Sequence, residues 1–381
     1  MGKTNQKRII ISVTNDLVAD NRVHKVCTTL EKMGFPILLV GRELPKSPPI
    51  NQRNYATKRF RLIFKKGPLF YAEYNFRLIL FLIFSKTSGL LANDLDTLTA
   101  NFIASRVKNV PLVYDSHEYF TEVPELIHRP LVKKTWEILE RRMLPHIKHA
   151  YTVCESIAKI YHQKYGVPFQ VVRNVPSKKT FPKKTTGQKN QSEKRIIYQG
   201  AVNIGRGLEQ AIHAMKYTEN AKLFIAGDGD IKPQLERIVA TEDLQNKVIF
   251  TGRLPLEELA QLTATADLGI SIEEDLGLNY RYALPNKLFD YIQAKVPVLV
   301  TNLPEMAAIV TKYQIGEICT SLEPQELAAS FREALFNTEK RKLWESKLPF
   351  AAGELNWEVE ENVLVELFEN VYSHAPKIPV E

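Results

Sequence analysis

Tyr282-Ala283-Leu284-Pro285-Asn286-Lys287-Leu288-Phe289-Asp290-Tyr291-Ile292, followed by Ala294-Lys295-Val296-Pro297-Val298-Leu299-Val300, is the stretch that decides the fold. Pro285 suits the first turn of a helix, where its missing N–H is not needed. Leu288, Tyr291 and Ile292 then recur at helical spacing, and residues 296–300 read as a short buried strand. Another strand, at 267–272, lies just upstream, so the stretch is a β-loop-α-β unit with polar groups at the start of its helix. Such a start offers unpaired N–H groups and positive potential, a natural seat for a phosphate. Asn286 and Lys287 add donors there, and Asp290, one turn further on the same face, is in position for a ribose diol. The same residues also suit a plain helix behind a proline turn, with Lys287 and Asp290 solvated.

Working outward, the pattern repeats. Upstream strands are expected at 195–199, 221–226 and 247–250, and a downstream one at 317–319. Helices are expected at 207–215, 232–240, 255–264, 303–310 and 324–335. A separate alternation fills the first half, with strands at 8–13, 35–40, 90–92, 112–114, 150–153 and 170–172. Its helices fall at 20–33, 69–84, 98–107, 131–146 and 155–165. Alternation of this kind argues for doubly wound, mostly parallel sheets. Residues 177–194 are polar and basic and read as a linker. The expected organisation is a first Rossmann-like domain at 1–176, a linker at 177–194 and a second domain at 195–356. An amphipathic helix follows at 357–373. Ligands of such sheets bind beyond the carboxyl ends of the strands, so two such domains facing each other would share a cleft.

With 381 residues and 44% hydrophobic content, the chain has room for two real cores. Cys27, Cys154 and Cys319 are odd in number and far apart; they form neither a disulfide framework nor a metal-ligand cluster and fit a reducing compartment. The first residues run straight into a strand, without the apolar stretch of a signal peptide. The longest apolar run, 78–84, is far below the roughly 20 residues of a spanning helix.

The net charge of +8 is unevenly spread: residues 1–184 hold 31 Lys+Arg against 14 Asp+Glu, and the remainder 20 against 29. Between Arg42 and Lys86 ten basic residues face two acidic ones, with large apolar side chains interleaved. That mixture suits an anionic membrane surface; the alternative is a core helix with a solvated rim. No recognisable nucleic-acid module accompanies the charge.

Four loops at strand ends carry the chemistry. Gln199 to Gly207 is glycine-rich and presents Arg206, whose planar fork suits phosphate oxygens. Ala226-Gly227-Asp228-Gly229-Asp230 is a tight turn in which Asp228 or Asp230 is a plausible helix cap. Phe250-Thr251-Gly252-Arg253 is a similar strand end whose backbone is placed to meet a base. Asp115-Ser116-His117-Glu118 puts three ionisable residues at one strand end. A metal site lacks a second His or Cys at sensible spacing, and His117 reads better as a hydrogen-bonding group at a reaction centre. Asp20 is a good N-cap, Asp96 a possible one, and the loops bearing Asp20, Asn21 and Asp96 are placed to touch a substrate.

Together these residues resemble glycosyltransferase family 4, retaining enzymes of the GT-B fold. The landmarks are Asp20-Asn21-Arg22-Val23, Asn93-Asp94-Leu95-Asp96, Asp115-Ser116-His117-Glu118, Val172-Arg173-Asn174, Gly205-Arg206-Gly207-Leu208, Ala226-Gly227-Asp228-Gly229 and Pro285-Asn286-Lys287-Leu288-Phe289-Asp290-Tyr291. Pro285-Asn286-Lys287 is similar to the variant found in bacterial surface-polysaccharide and lipopolysaccharide enzymes. The resemblance implies a nucleotide-diphosphate sugar held by the second domain through Gly205, Arg206, Gly227, Arg253, Asn286, Lys287, Leu288 and Asp290. It implies His117 and Glu118 at the reaction centre, Asp20, Asn21 and Asp96 on the acceptor side, and the last helix crossing back onto the first domain.

Two departures stand out. Ala201 replaces one of the family's two phosphate-binding cations, and Tyr282 replaces the first glutamate of its Glu-seven-residues-Glu motif, leaving Glu273 or Glu274 to help with the sugar hydroxyls. The implied activity is metal-independent sugar transfer with retention, to a saccharide or lipid-linked acceptor at the inner, cytoplasmic face of the membrane. A nucleotide-sugar epimerase of the same build and a non-catalytic donor-binding subunit are the alternatives.

Overall fold

The structure, a computed structural model, describes residues 8–18, 20–127, 129–178 and 193–373. The chain divides into two units, one formed by Met1–Asn174 with Glu360–Glu381 and the other by Val175–Val359. Most of the segment read as a linker lies outside the described residues.

In the first unit the elements are β1 (Ile9–Asp16), α1 (Asn21–Lys32), β2 (Ile37–Glu43), β3 (Ala56–Arg61), α2 (Gly67–Phe84), β4 (Gly89–Asn93), α3 (Leu95–Lys108), β5 (Leu112–Ser116), α4 (Pro124–Ile127), α5 (Pro130–Met143), β6 (His149–Thr152), α6 (Glu155–Tyr165) and β7 (Phe169–Val171). The seven strands form one parallel sheet in the order β3-β2-β1-β4-β5-β6-β7. β4 and β5 are buried along their whole length, as parallel strands covered on both faces should be. The strand order reverses between β1 and β4. Connections leave that point in opposite directions, which opens a crevice at the carboxyl ends of the two strands.

Asp20 caps α1, its carboxylate accepting the Val23 N–H at 3.1 Å. α2 buries Phe70, Tyr74, Leu78 and Leu82, one residue per turn. Each such side chain contributes about 1.5–3 kcal/mol on burial, so α2 docks without the exposed Leu69, Phe76 and Phe84 on its other faces.

The second unit runs β8 (Lys194–Gln199), α7 (Leu208–Ala214), β9 (Ala221–Ala226), α8 (Lys232–Thr241), β10 (Val248–Gly252), α9 (Leu256–Thr265), β11 (Leu268–Ser271), α10 (Leu278–Arg281), α11 (Asn286–Gln293), β12 (Val298–Thr301), α12 (Pro304–Tyr313), β13 (Gly316–Cys319), α13 (Pro324–Phe336), α14 (Thr338–Glu354) and the start of α15 (Trp357–Ser373). Its six strands are also parallel, ordered β10-β9-β8-β11-β12-β13, with the reversal between β8 and β11. From Glu360 onward α15 belongs to the first unit. There Glu360 takes the Arg173 guanidinium at 2.6 Å, Glu361 takes the Thr29 hydroxyl at 2.7 Å, and Phe35 packs on Phe368 and Tyr372.

Several sequence-based expectations are corrected. β3 went unread because Ala56–Arg61 is an edge strand rich in charge, as edge strands tend to be. α14 went unread because it carries Pro349 and no clear apolar stripe. Pro285 sits just before α11, with extended backbone, and Asn286 opens the helix. Neither Asp228 nor Asp230 caps α8: Ile231 holds the cap position, Asp228 accepts the adjacent Gly229 N–H, and the Asp230 N–H goes to Asn203. Asp96 lies inside the first turn of α3, and Asp94 precedes that helix.

Candidate active site

In the first unit the crevice between β1 and β4 gathers one histidine and three carboxylates. His117, just past β5, has Nε2 3.0 Å from Asp115 Oδ2 and 3.1 Å from Asn93 Oδ1, while Nδ1 lies 3.3 Å from Asp94 Oδ2. Asn93 and Asp115 are partners across the β4–β5 ladder, which is how the sheet register brings them together. Burial pushes the His117 pKa down, but the carboxylates of Asp94 and Asp115 outweigh it and hold it up at about 10. Both ring nitrogens of His117 thus face protein acceptors, an arrangement that favours the imidazolium. A hydroxyl reaching His117 would share an occupied nitrogen on a side chain 18% exposed.

Asp115 is held from its other side. Arg22, in the first turn of α1, donates Nε to Oδ2 at 3.1 Å and Nη2 to Oδ1 at 2.8 Å, and its Nη1 donates to the Val172 carbonyl at 2.9 Å. Both groups are buried. Burial alone would raise the Asp115 pKa, yet Arg22 and His117 bring it down to about 2. Asp94 and Asp96 show the opposite balance: burial raises them to about 7 and about 6. Asp96 accepts the Thr14 hydroxyl at 2.5 Å. Asp94 stands at φ 58° and ψ 166°, a region nearly reserved to glycine, at a cost of about 1–3 kcal/mol. Its carboxylate accepts the His117 N–H at 2.8 Å, and its own N–H donates to the Asp115 carbonyl at 2.8 Å. Of the other residues expected here, Glu118 and Asn21 are exposed, Asp20 is the helix cap, and Asp96 is buried.

In the second unit the reversal between β8 and β11 brings two loops together, the Glu274 N–H donating to the Gly205 carbonyl at 3.0 Å. Gly205 has φ +80° and faces the Tyr280 ring, so a side chain there would be strained and crowded. Gly227 abuts the Gly200 carbonyl so closely that a Cβ would lie 1.8 Å from its oxygen.

At the floor of this crevice is Glu273, fully buried. Its carboxylate accepts from Lys287 Nζ at 2.5 Å and from the Ser271 hydroxyl at 2.8 Å, and Arg206 Nη1 lies 3.6 Å away. Burial would raise the Glu273 pKa, but Lys287 and Arg206 hold it below the ordinary value; burial lowers that of Lys287, against the attraction of Glu273. Lys287 also runs over the Tyr198 ring, 4.4 Å from its centroid, and its Cε passes 3.6 Å from where a Cβ on Gly200 would stand. Lys287 thus runs alongside Tyr198 and Gly200 of the glycine-rich loop.

The plain reading of Lys287 as a solvated side chain is overturned: it is buried and donates to Glu273, which faces these cations from the floor. Leu288 is buried core, and its N–H already donates to the Pro285 carbonyl at 3.1 Å. Asn286 is exposed at the tip, and Arg253 is exposed past β10. Asp290 accepts from Gln199 Nε2 at 3.0 Å, and Gln199 Oε1 accepts the Thr263 hydroxyl at 2.7 Å.

Gln199, Asn93 and the Arg22–Asp115 brace were missed as site residues. The signal available was their place at strand ends beside the two order reversals. Among the described residues no group of three His, Cys, Asp or Glu is arranged to hold a metal ion, and no helix is long and apolar enough to cross a membrane.

Comparison with known proteins matches residues 19–176 to the model of Glycosyltransferase Family 4 and residues 180–347 to that of glycosyl transferases group 1. An uncharacterized glycosyltransferase of Methanocaldococcus jannaschii is 29% identical over 168 residues, which are 40% of this chain and 41% of that relative's length. Among solved structures, sucrose-phosphate synthase from Thermosynechococcus elongatus superposes with TM-score 0.79 at 14% identity, covering 97% of this chain and 100% of that one. Anabaena Alr3699/HepE, in complex with UDP and glucose, gives TM-score 0.70 at 16% identity, covering 96% of this chain and all of its own. These likenesses identify the two-unit architecture as the GT-B fold.

Proposed function

We propose, from the premise that this chain is a glycosyltransferase of the GT-B fold, that it moves a sugar from a nucleotide-diphosphate donor to a saccharide or lipid-linked acceptor. The observation that carries this reading is the convergence of Arg206 and Lys287 on one buried carboxylate at the strand-order reversal of the second unit. A crevice of this kind, floored by one anion and walled by two cations, suits a diphosphate. When the nucleoside diphosphate leaves, negative charge grows on its phosphates, and Arg206 with Lys287 stabilises it with no metal in the scheme. Asp290, oriented by Gln199, takes the ribose hydroxyls.

On the acceptor side, His117 has no free lone pair while it is an imidazolium, so it is not the general base. In this reading the acceptor's proton passes to a departing phosphate oxygen, the sugar keeps its anomeric configuration, and the carboxylates around His117 favour positive charge developing on the sugar. The basic, apolar segment 42–86 lies on an anionic membrane at its cytoplasmic face, in keeping with a role in surface-polysaccharide synthesis. That Alr3699/HepE was solved with UDP and glucose supports the donor class.

The test is calorimetry of UDP and UDP-glucose on the wild type and on Arg206→Ala and Asp290→Ala. Each lost charge-assisted contact should weaken binding by about tenfold to a hundredfold. Undiminished affinity in both variants refutes the donor site. Turnover of donor sugar without any acceptor points to an epimerase, and binding without transfer to a binding subunit.

A further inference from the structure

A pocket of about 240 Å³ opens at the carboxyl ends of β2 and β3, apart from the two crevices already described. Its lining joins Arg42, Arg61 and Lys65 to Leu62, Phe64 and Phe70. One acid, Glu43, is also present, but Arg61 already holds it at 2.7 Å and Arg59 lies 3.7 Å away. Arg42 is spread over the Phe70 ring at 4.5 Å, its Nη1 reaches the Lys65 carbonyl only at 3.4 Å, and its Nε is buried with no hydrogen-bond partner. Lys65 is exposed, and beside it on the chain Ile63 and Phe64 are exposed, as is Leu69 at the start of α2. Uncommitted cationic donors stand at the pocket and bare apolar side chains beside it. A purely apolar occupant would leave the charges of Arg42 and Lys65 unmet, and a free inorganic anion would leave the apolar side chains wet.

We infer that this pocket seats the phosphate of a lipid-linked acceptor, with the first part of its hydrocarbon chain against Phe64 and Leu69. The inference rests on the transferase reading given above and adds a position to it. β5, which carries His117, is three strand steps from β2 and four from β3 in the same sheet. At about 4.8 Å per step the pocket is about 14–19 Å from the reaction centre. A phosphate seated there is too far away to receive the sugar itself. The acceptor therefore already carries sugar between its phosphate and the attacking hydroxyl. A reaction that places the first sugar on the lipid phosphate must precede this one.

The probe is dodecyl phosphate, used below its micelle concentration on the full chain, against dodecanol, inorganic phosphate and phosphatidylglycerol vesicles. Dodecyl phosphate should bind about tenfold or more tighter than dodecanol or inorganic phosphate. Arg42→Gln and Lys65→Gln should each remove most of that advantage, and Arg42→Lys should keep part of it. UDP affinity, read in parallel, should not move in any of them, and dodecyl phosphate should accept no sugar. Equal binding of dodecyl phosphate and dodecanol overturns the inference, as does a phosphate advantage that survives both substitutions. Loss of vesicle binding in the variants with dodecyl phosphate unaffected overturns it too, because the patch is then a bilayer contact only. Absence of UDP binding in the wild type instead refutes the UDP-donor reading, whatever the pocket does.

Discussion

The two crevices are electrostatic opposites built on the same sheet topology. In the first unit His117, partly exposed, is held between Asp94 and Asp115, with Arg22 bracing the second of these. In the second a buried anion, Glu273, is enclosed by Lys287 and Arg206. Each central ion fixes the side chains around it and leaves a surplus of the opposite sign, anionic in one crevice and cationic in the other. Buried charge alone is costly and survives only when paired and hydrogen-bonded, so each crevice needs its central ion to keep its working charges in place. In the proposed reading, the contrast teaches that sign, not fold, would separate a place for a cationic sugar from a place for a diphosphate.

Breaking the first crevice should have the largest effect. Arg22→Met leaves Asp115 buried beside His117 with its main brace gone, and denaturant unfolding should show a loss of about 3–5 kcal/mol. UDP binding by the second unit should be unchanged in that variant.

Glu273→Gln sharpens the comparison from the other side. It strands Lys287 without its carboxylate, so stability should fall by up to about 3 kcal/mol, yet the crevice becomes more cationic and calorimetry should show UDP binding more tightly. Weaker UDP binding would mean that Glu273 is needed to aim the cations rather than merely to balance them.

The smallest effect is in pH. The His117 pKa is raised from 6.5 to about 10 in the fold, so its stabilisation is complete below about pH 6.5 and is lost as pH climbs toward 10. Asp94, raised from 3.8 to about 7, also makes stability fall with rising pH, but between those lower values. Asp115, lowered from 3.8 to about 2, acts in the reverse sense and loses its contribution only as acid is added below its ordinary value. Melting temperature should therefore drop between pH 6.5 and 10 in the wild type. His117→Gln should flatten that part of the curve.

Much of this was legible along the chain. Alternating apolar runs and amphipathic stretches gave the parallel sheets, because a strand buried on both faces must be apolar throughout. β3 was not legible, since its pairing with β2 depends on backbone hydrogen bonds and not on an apolar pattern. The site loops were legible as glycine, acid and base clusters at strand ends. The partners within them were not: Arg22 meets Asp115 across 93 residues, and Lys287 meets Glu273 across the loop and short helix between β11 and α11.

Residue type and spacing by themselves gave two doubly wound units and put the loops bearing Arg206 and His117 beyond strand ends, with Asp290 on the helix that follows one of them. Tertiary structure alone decided which charges pair. It made Lys287 the partner of a buried carboxylate and set His117 between the carboxylates of Asp94 and Asp115. The reason is physical: the charge state of a side chain depends on what the fold places within a few ångströms of it and on how much water it removes, and neither is written in local sequence.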